Sequence, residues 1–302
     1  MRFPELYSIS ELLRLYGVSA CKSLSQNFIL DKNVNDKIVR TLGDLKGHTV
    51  IEVGSGPGGL TRSILKAGAQ KVIAVEIDQR FMPTLRQLRD ASFNRLEIIH
   101  SDILCWDMAQ TLDTIGFIKQ DWREVPKLRL IGNLPFGITA PLVKLFMHSV
   151  AERKNAWAYA RADMTFLFQR EVAERMSSNN TSKVSGRLTH LIQRLCSCKL
   201  IYKVPREVFV PSPEVDGAVV RIIPQPLPPP KISMKDFVTL STHLFTFKRK
   251  KCLNGLAQLT ESKEDALSIL KEAGVDGNMR PELLTPNQME ALVTAYYSRL
   301  KA

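Results

Sequence analysis

The chain has 302 residues, 44% hydrophobic and 24% charged, which is enough to bury a substantial core in one large domain or two; no apolar run reaches the roughly 18 residues a membrane span needs. Lysine and arginine total 42 against 30 acidic residues, a net charge of +12, which favours a polyanionic partner, although solubility alone would also account for it. Five scattered cysteines without a C-x-x-C pair, and five equally dispersed histidines, argue against a disulfide scaffold and against a metal centre, and for a reducing compartment.

In chain order, Arg2, Glu5, Glu11 and Arg14 interrupt the N-terminus before a secretory h-region forms, and the stretch has only weak matrix-presequence character. Ser8 and Ser10 precede Leu12, Leu13, Leu15 and Tyr16, which reads as a short capped helix. From residue 50 strand and helix alternate. Residues 50–53 form a strand, a glycine cluster follows, and a helix runs through Leu65. Residues 71–76, 96–100 and 127–131 are further strands, and this spacing predicts parallel βαβ units with a ligand site at the strands' carboxyl ends. Residues 164–176 read as helix, 176–186 as loop and 218–223 as a late strand. Pro224, Pro226 and Pro228-Pro229-Pro230 then make a stiff connector, which sets domain boundaries at 1–230 and 231–302, the second with helical patterns only.

Gly54-Ser55-Gly56-Pro57-Gly58-Gly59 leaves a strand and opens a helix, where glycines let backbone approach a ligand. Glu76 follows about 20 residues on, as in the dinucleotide fingerprint, and suits ribose hydroxyls. On these residues NAD and S-adenosylmethionine (SAM) are both open, and a plain tight turn would also use glycine. Pro57 removes a backbone donor from a loop that would otherwise cradle a pyrophosphate, which SAM lacks. Asp102, after the third strand, suits the adenine amine of a cofactor or, equally, a cap on the next turn.

Asn133-Leu134-Pro135-Phe136 follows the fourth strand and suits methylation of an amine. The Asn133 side-chain oxygen accepts one N–H of the target, and Pro135 biases Leu134 to an extended conformation that presents its carbonyl as a second acceptor. Phe136 offers a face for an extruded adenine.

With these motifs the sequence resembles the ribosomal RNA adenine dimethyltransferase family over nearly its whole length. The resemblance implies an α/β, Rossmann-like SAM-dependent methyltransferase domain with an N-terminal helical head and a small C-terminal helical domain. Ser25-Gln26-Asn27-Phe28-Ile29-Leu30 is similar to the family's N-terminal signature, in which Gln26, Asn27 and Ile29 would line the cofactor. The family pattern adds Gly54, Glu76, Ile77, Asp102, Ile103 and Asn133 to that set, and makes Asn133, Leu134, Phe136 and Phe209 the target-site residues. Phe209 comes from Phe209-Val210-Pro211-Ser212-Pro213-Glu214-Val215-Asp216, and would face Phe136 across the base. Many members carry Tyr where Phe136 stands. The resemblance further implies dimethylation of two adjacent adenosines in the 3′-terminal hairpin of small-subunit rRNA, with the assembling subunit as partner. Residues 9–28 and 247–252 are similar to the mitochondrial branch, which implies the matrix and raises a role with the mitochondrial transcription machinery.

Lys248-Arg249-Lys250-Lys251 is the densest basic run, read as RNA-binding against the alternative of a solvated helix face. Arg187, Arg194, Lys199, Lys203 and Arg206 are candidates to extend it. Three rivals remain open on sequence: a protein-amide methyltransferase, a non-catalytic nucleic-acid-binding factor, and an NAD oxidoreductase.

Overall fold

The computed structural model describes residues 6–21, 24–178, 186–226, 230–247 and 249–300. Helix α1 (Ile9–Leu15) starts with a reciprocal cap: the Ser8 hydroxyl accepts from the Glu11 amide at 3.2 Å, and the Glu11 carboxylate accepts from the Ser8 amide at 2.7 Å. A two-residue strand β1 (Phe28–Ile29) and α2 (Lys32–Arg40), capped by Asp31, lead into the main sheet. Strands β2 (Thr49–Val53), β3 (Lys71–Glu76), β4 (Leu96–His100) and β5 (Leu128–Asn133) are separated by α3 (Gly59–Lys66), α4 (Met82–Asp90) and α5 (Met108–Thr114). Then come α6 (Thr139–Glu152), β6 (Asp163–Gln169), α7 (Arg170–Met176), α8 (Arg187–Gln193), β7 (Cys196–Val204), β8 (Phe209–Val210) and β9 (Gly217–Pro224).

The main sheet has seven strands in the order β4-β3-β2-β5-β6-β9-β7. It is parallel from β4 to β6, and β9 runs antiparallel to both β6 and β7. Strands β2, β3 and β5 are covered on both faces, which is why they read as continuous apolar runs rather than alternating ones. Chain order reverses at β2, whose neighbours are β3 and β5, so the carboxyl ends part there and open a crevice.

One predicted helix is a strand. Residues 164–169 belong to β6, and only 170–176 are helical. Met164-Thr165-Phe166-Leu167-Phe168 is a short apolar run buried between β5 and β9, and periodicity alone does not separate such a run from a buried helix turn. The expected loop at 176–186 lies mostly outside the described residues. At the junction where the sheet turns antiparallel, the buried Asp163 carboxylate receives Arg129 from β5 and Arg221 from β9, the latter at 2.6 Å, so the charge is matched by two hydrogen-bonded cations.

Helices α9 (Met234–Thr246), α10 (Cys252–Leu256), α11 (Lys263–Glu272) and α12 (Pro286–Leu300) form the C-terminal part. Phe237 and Leu240 of α9 and Leu292 of α12 share one buried cluster with Met147, Phe166 and Ile192. Arg194, which caps the end of α8, also pairs with Glu290 of α12 at 2.6 Å. The boundary expected at the proline-rich connector is therefore not a break in the core, and residues 227–229 of that connector lie outside the described residues.

Gly132 of β5 lies against β2, and an added Cβ there would overlap the Val53 carbonyl oxygen. Gly132→Ala is expected to lower stability by about 1–3 kcal/mol, as overpacking does. A urea titration should show a lower midpoint with an unchanged slope. An unchanged midpoint would mean that the two strands part there without cost.

Candidate functional site

The crevice at β2 holds a cavity of about 360 Å³, within the usual size of a small-molecule site. Gln26, Asn27, Ile29, Gly54, Glu76, Ile77, Asp102, Ile103, Asn133 and Leu134 all line it, although they come from well-separated parts of the chain. Its remaining polar lining includes Glu52 and Ser55.

One wall is the segment 24–29, which crosses the strand ends as a strap. The Gln26 amide nitrogen donates to Asp78 at 2.8 Å, and its oxygen accepts from the Cys21 backbone at 2.9 Å. Asp78 in turn takes Arg80 at 2.6 Å, and that guanidinium holds its carboxyl down at about 2. Gln26 thus lines the cavity, but its polar atoms serve the strap. Asn27 presents its carbonyl to the Asn133 side-chain nitrogen at 2.7 Å. Phe28 packs edge-on against Phe81, with ring centroids 5.4 Å apart, and lies beside Gly56. Ile29 pairs with Phe209 through β1 and β8.

The floor is acidic. Gly56 adopts φ +53°, and its amide donates to one Glu76 oxygen at 2.7 Å, while the Asp78 amide donates to the other at 2.8 Å. Burial raises the Glu76 carboxyl above its ordinary value, and these two amides pull it back. Each oxygen keeps a lone pair for a ribose hydroxyl. Asp102 caps the turn, with one oxygen accepting from the Leu104 amide at 2.9 Å, while the other takes no hydrogen bond among the described residues. Ile77, half exposed, and Ile103, buried, give apolar surface beside it.

Glu52, at the end of β2, was legible in the sequence only as part of the strand 50–53. It is completely buried, and neither carboxylate oxygen has a hydrogen-bond partner of ordinary geometry. Burial pushes its carboxyl up to about 8, with Glu76 adding repulsion and Thr61 pulling the other way. No lysine or arginine stands among the described lining residues. A pyrophosphate would meet three carboxyls and no counter-charge, whereas a ligand with an adenine amine, ribose hydroxyls and cationic groups meets acceptors throughout. The residues present fit SAM and do not fit NAD.

At the β5 end the Asn133 amide is oriented by its bond to a carbonyl, which only its nitrogen can make, so Oδ1 is left to accept. The Leu134 carbonyl, held by Pro135 at φ −55° and ψ 130°, takes no hydrogen bond among the described residues. Phe136 is half-buried at the start of a short 3-10 turn, outside the cavity. Phe209 does not present a free stacking face in this structure: it is 2% exposed, wedged over Gly217 and packed in the cluster that Phe136 joins from its edge. A ring in this position backs the Phe136 side of the site.

Of the basic run, Arg249, Lys250 and Lys251 are exposed beyond α9, and Lys248 lies outside the described residues. Arg187 is exposed and donates to Thr242 of α9 at 3.2 Å, which sets it beside the helix that the run follows. Arg194 is not part of that surface, because it is buried against Phe237 and paired with Glu290. Lys203 and Arg206 are exposed but lie near Glu174 and Glu207. Among the described residues no cluster of His, Cys, Asp and Glu has the arrangement of a metal site.

Residues 17–297 match the family described as ribosomal RNA adenine dimethylase. Mitochondrial dimethyladenosine transferase 1 of Bos taurus is 39% identical over 98% of this chain and 87% of its own length. The Homo sapiens protein of that name is 38% identical over 98% and 86%. In structure, a dimethyladenosine transferase from Plasmodium falciparum superposes with a TM-score of 0.67 at 21% identity, over 89% of this chain and 97% of that one. The 23S rRNA methyltransferase ErmE gives 0.61 at 23%, over 89% and 99%, and these two likenesses establish the fold. Sequence match and site together make this chain a member of the ribosomal RNA adenine dimethylase family, a SAM-dependent rRNA adenine dimethyltransferase.

Proposed function

We propose that this enzyme dimethylates the exocyclic amines of two adjacent adenosines in the 3′-terminal hairpin of small-subunit rRNA, in the mitochondrial matrix and on the assembling subunit. The observation that carries the chemistry is the pinned Asn133 amide, whose oxygen is left to accept, beside Leu134 in the lining of the cavity. The names of the relatives support the compartment.

SAM, when bound, supplies the methyl group as an electrophile. Gln26 and Asp78 hold the strap over it; Glu76 takes the ribose hydroxyls and Asp102 the adenine amine. Asn133 Oδ1 and the Leu134 carbonyl accept the two N–H bonds of the target amine and turn its lone pair towards the methyl. Phe136 stacks the extruded base, a contact worth about 1–3 kcal/mol. No general base is required, because the nitrogen becomes acidic on gaining the methyl and loses its proton afterwards. The cavity's carboxyls accordingly sit on β2, β3 and the loop after β4, on the cofactor side. Residues 231–302 serve as an RNA-binding part, with Arg249, Lys250 and Lys251 as phosphate contacts together with Lys248.

Labelled methyl transfer from SAM to a short RNA hairpin with two adjacent loop adenines tests this reading. Dimethyladenosine is expected from the native protein, with a rate lower by about 100-fold or more in Asn133→Ala. Label on a protein instead, or none in RNA, would overturn the substrate assignment. The strap makes a second prediction. Asp78→Ala should raise KM for SAM by roughly tenfold and remove hydrogen-exchange protection from residues 24–29. Unchanged KM and protection would assign Asp78 to Arg80 alone.

A further inference from the structure

Helix α2 buries one face, made by Asn35, Ile38 and Val39. Asn35 is the fourth residue of the helix, where an apolar side chain commonly packs against the residue before the cap. It is 3% exposed, and a buried amide at that point is costly unless its hydrogen bonds are made. The helix start does not need this side chain. The Asp31 carboxylate already takes the Asn33 and Val34 amides, at 2.7 and 3.4 Å, and the Asp31 carbonyl takes the backbone amide of Asn35 at 3.1 Å.

What the Asn35 side chain holds is the strap. Its Nδ2 donates to the Ile29 carbonyl at 3.0 Å, just as Asn133 Nδ2 donates to the Asn27 carbonyl at 2.7 Å. Two asparagine amides, one from α2 and one from β5, therefore grip strap carbonyls two residues apart, with Phe28 between them. The Asn35 bond also rests on the glycine loop. A Cβ at Gly59, the first residue of α3, would lie 3.2 Å from Asn35 Nδ2 and 3.2 Å from the Ile29 oxygen, so a side chain there would press on both partners. Helix α2 is itself fixed to α3, since the Ser63 hydroxyl donates to Asp36 at 2.6 Å.

The two ends of the strap are anchored to different things. Gln26 is tied by its side chain to Asp78, on the ribose side. Ile29 is tied to α2 by Asn35 and to β8 by its pairing with Phe209. Between these ends lies Asn27, whose carbonyl decides which atom of the Asn133 amide is left to accept. Losing the Asp78 anchor loosens the cofactor side. Losing the Asn35 anchor lets the strap lift at Ile29 and carries the Asn27 carbonyl away from Asn133, an error of alignment for the transfer.

We propose that Asn35 is a positioning residue for methyl transfer: it sets the height of the strap at Ile29, and through the Asn27 carbonyl it keeps the Asn133 amide oxygen turned to the target nitrogen. Its effect reaches the reacting atoms only through Asn27 and Asn133. This role rests on the reading of Asn133 as an acceptor of the target amine.

Asn35→Leu keeps the branching of the side chain and removes its donor, at a helix position that ordinarily takes an apolar residue. With active sites counted by S-adenosylhomocysteine binding, it should lower kcat on the RNA hairpin by about tenfold. KM for SAM should rise by less than about threefold, the reverse of the split expected for Asp78→Ala. In the Asn133→Ala background, where the amide to be positioned is gone, Asn35→Leu should lower the rate by less than about twofold further. Asn35→Ala, which is too small to clash with Gly59, repeats both readings where the leucine does not fold. A residue that served only the stability of α2 would lower the urea midpoint and leave kcat per site unchanged, and that result would overturn the proposal. So would losses of rate that multiply in full when Asn35 and Asn133 are changed together. Asn133→Ala with native kcat would overturn instead the target reading beneath it.

Discussion

A single hydrogen bond, from the Asn133 side-chain nitrogen to the Asn27 carbonyl at 2.7 Å, sets what the rest of the site can do. It fixes the amide so that an oxygen, and not a nitrogen, faces the target, which is the difference between accepting from an amine and repelling it. It also makes the target side depend on the cofactor side, because Asn27 belongs to the strap. Next to it on that strap, Gln26 is tied to the ribose loop through Asp78, Phe28 lies beside the glycine loop, and Ile29 pairs with Phe209 of the late motif. The strap therefore touches the target loop, the ribose loop, the glycine loop and the late motif. A shift of about 1 Å in such a segment is enough to spoil alignment for in-line transfer, so its several anchors bear on rate as well as on cofactor affinity.

The strap needs a rigid counterpart, and the parallel part of the sheet provides it. Gly132 lets β5 pass against the tip of β2, so the glycine loop and the Asn133 loop start from neighbouring, fully buried strands. The row of strand ends then presents, in sequence, acceptors for an amine, for hydroxyls and for a target N–H. The site reads its ligands almost wholly with acceptors, and this suits a cofactor that is cationic and a substrate atom that carries hydrogens. The net +12 of the chain is spent elsewhere, on surfaces such as the basic run after α9.

Much of this was legible in the sequence because it depends on local chemistry. Glycines after a strand, an acidic residue at the next strand end, and proline after an asparagine each have a backbone reason that does not need the fold. What sequence did not reveal depends on long-range pairing. Residues 164–169 form a strand because β5 and β9 flank them, and nothing in their own apolar run says so. The strand Phe28–Ile29 exists only because Val210 and Phe209 lie opposite. The family resemblance made Phe209 a stacking face, but its ring lies buried over the small Gly217. Arg194 counted as a surface base until Glu290, some hundred residues away, took it inward.

Asp163 and Glu52 show how burial alone misleads and pairing informs. Both are acidic residues inside the sheet, and neither stands out by type or by apolar context. Asp163 sits at the parallel-to-antiparallel junction with an arginine from each neighbouring strand, so its charge is matched within the protein and its role is complete without a ligand. Glu52 lies at the strand end with a cavity in front of it, no ion pair among the described residues and only Thr61 favouring its charge. Removing the arginines would leave Asp163 an unpaired buried charge, a condition the fold avoids; Glu52 is kept without a counter-charge in the cavity wall. A fold that gives one buried acid two counter-charges and another none separates architecture from function at those two residues, since a cost left unmet in the empty protein is recovered only when something binds.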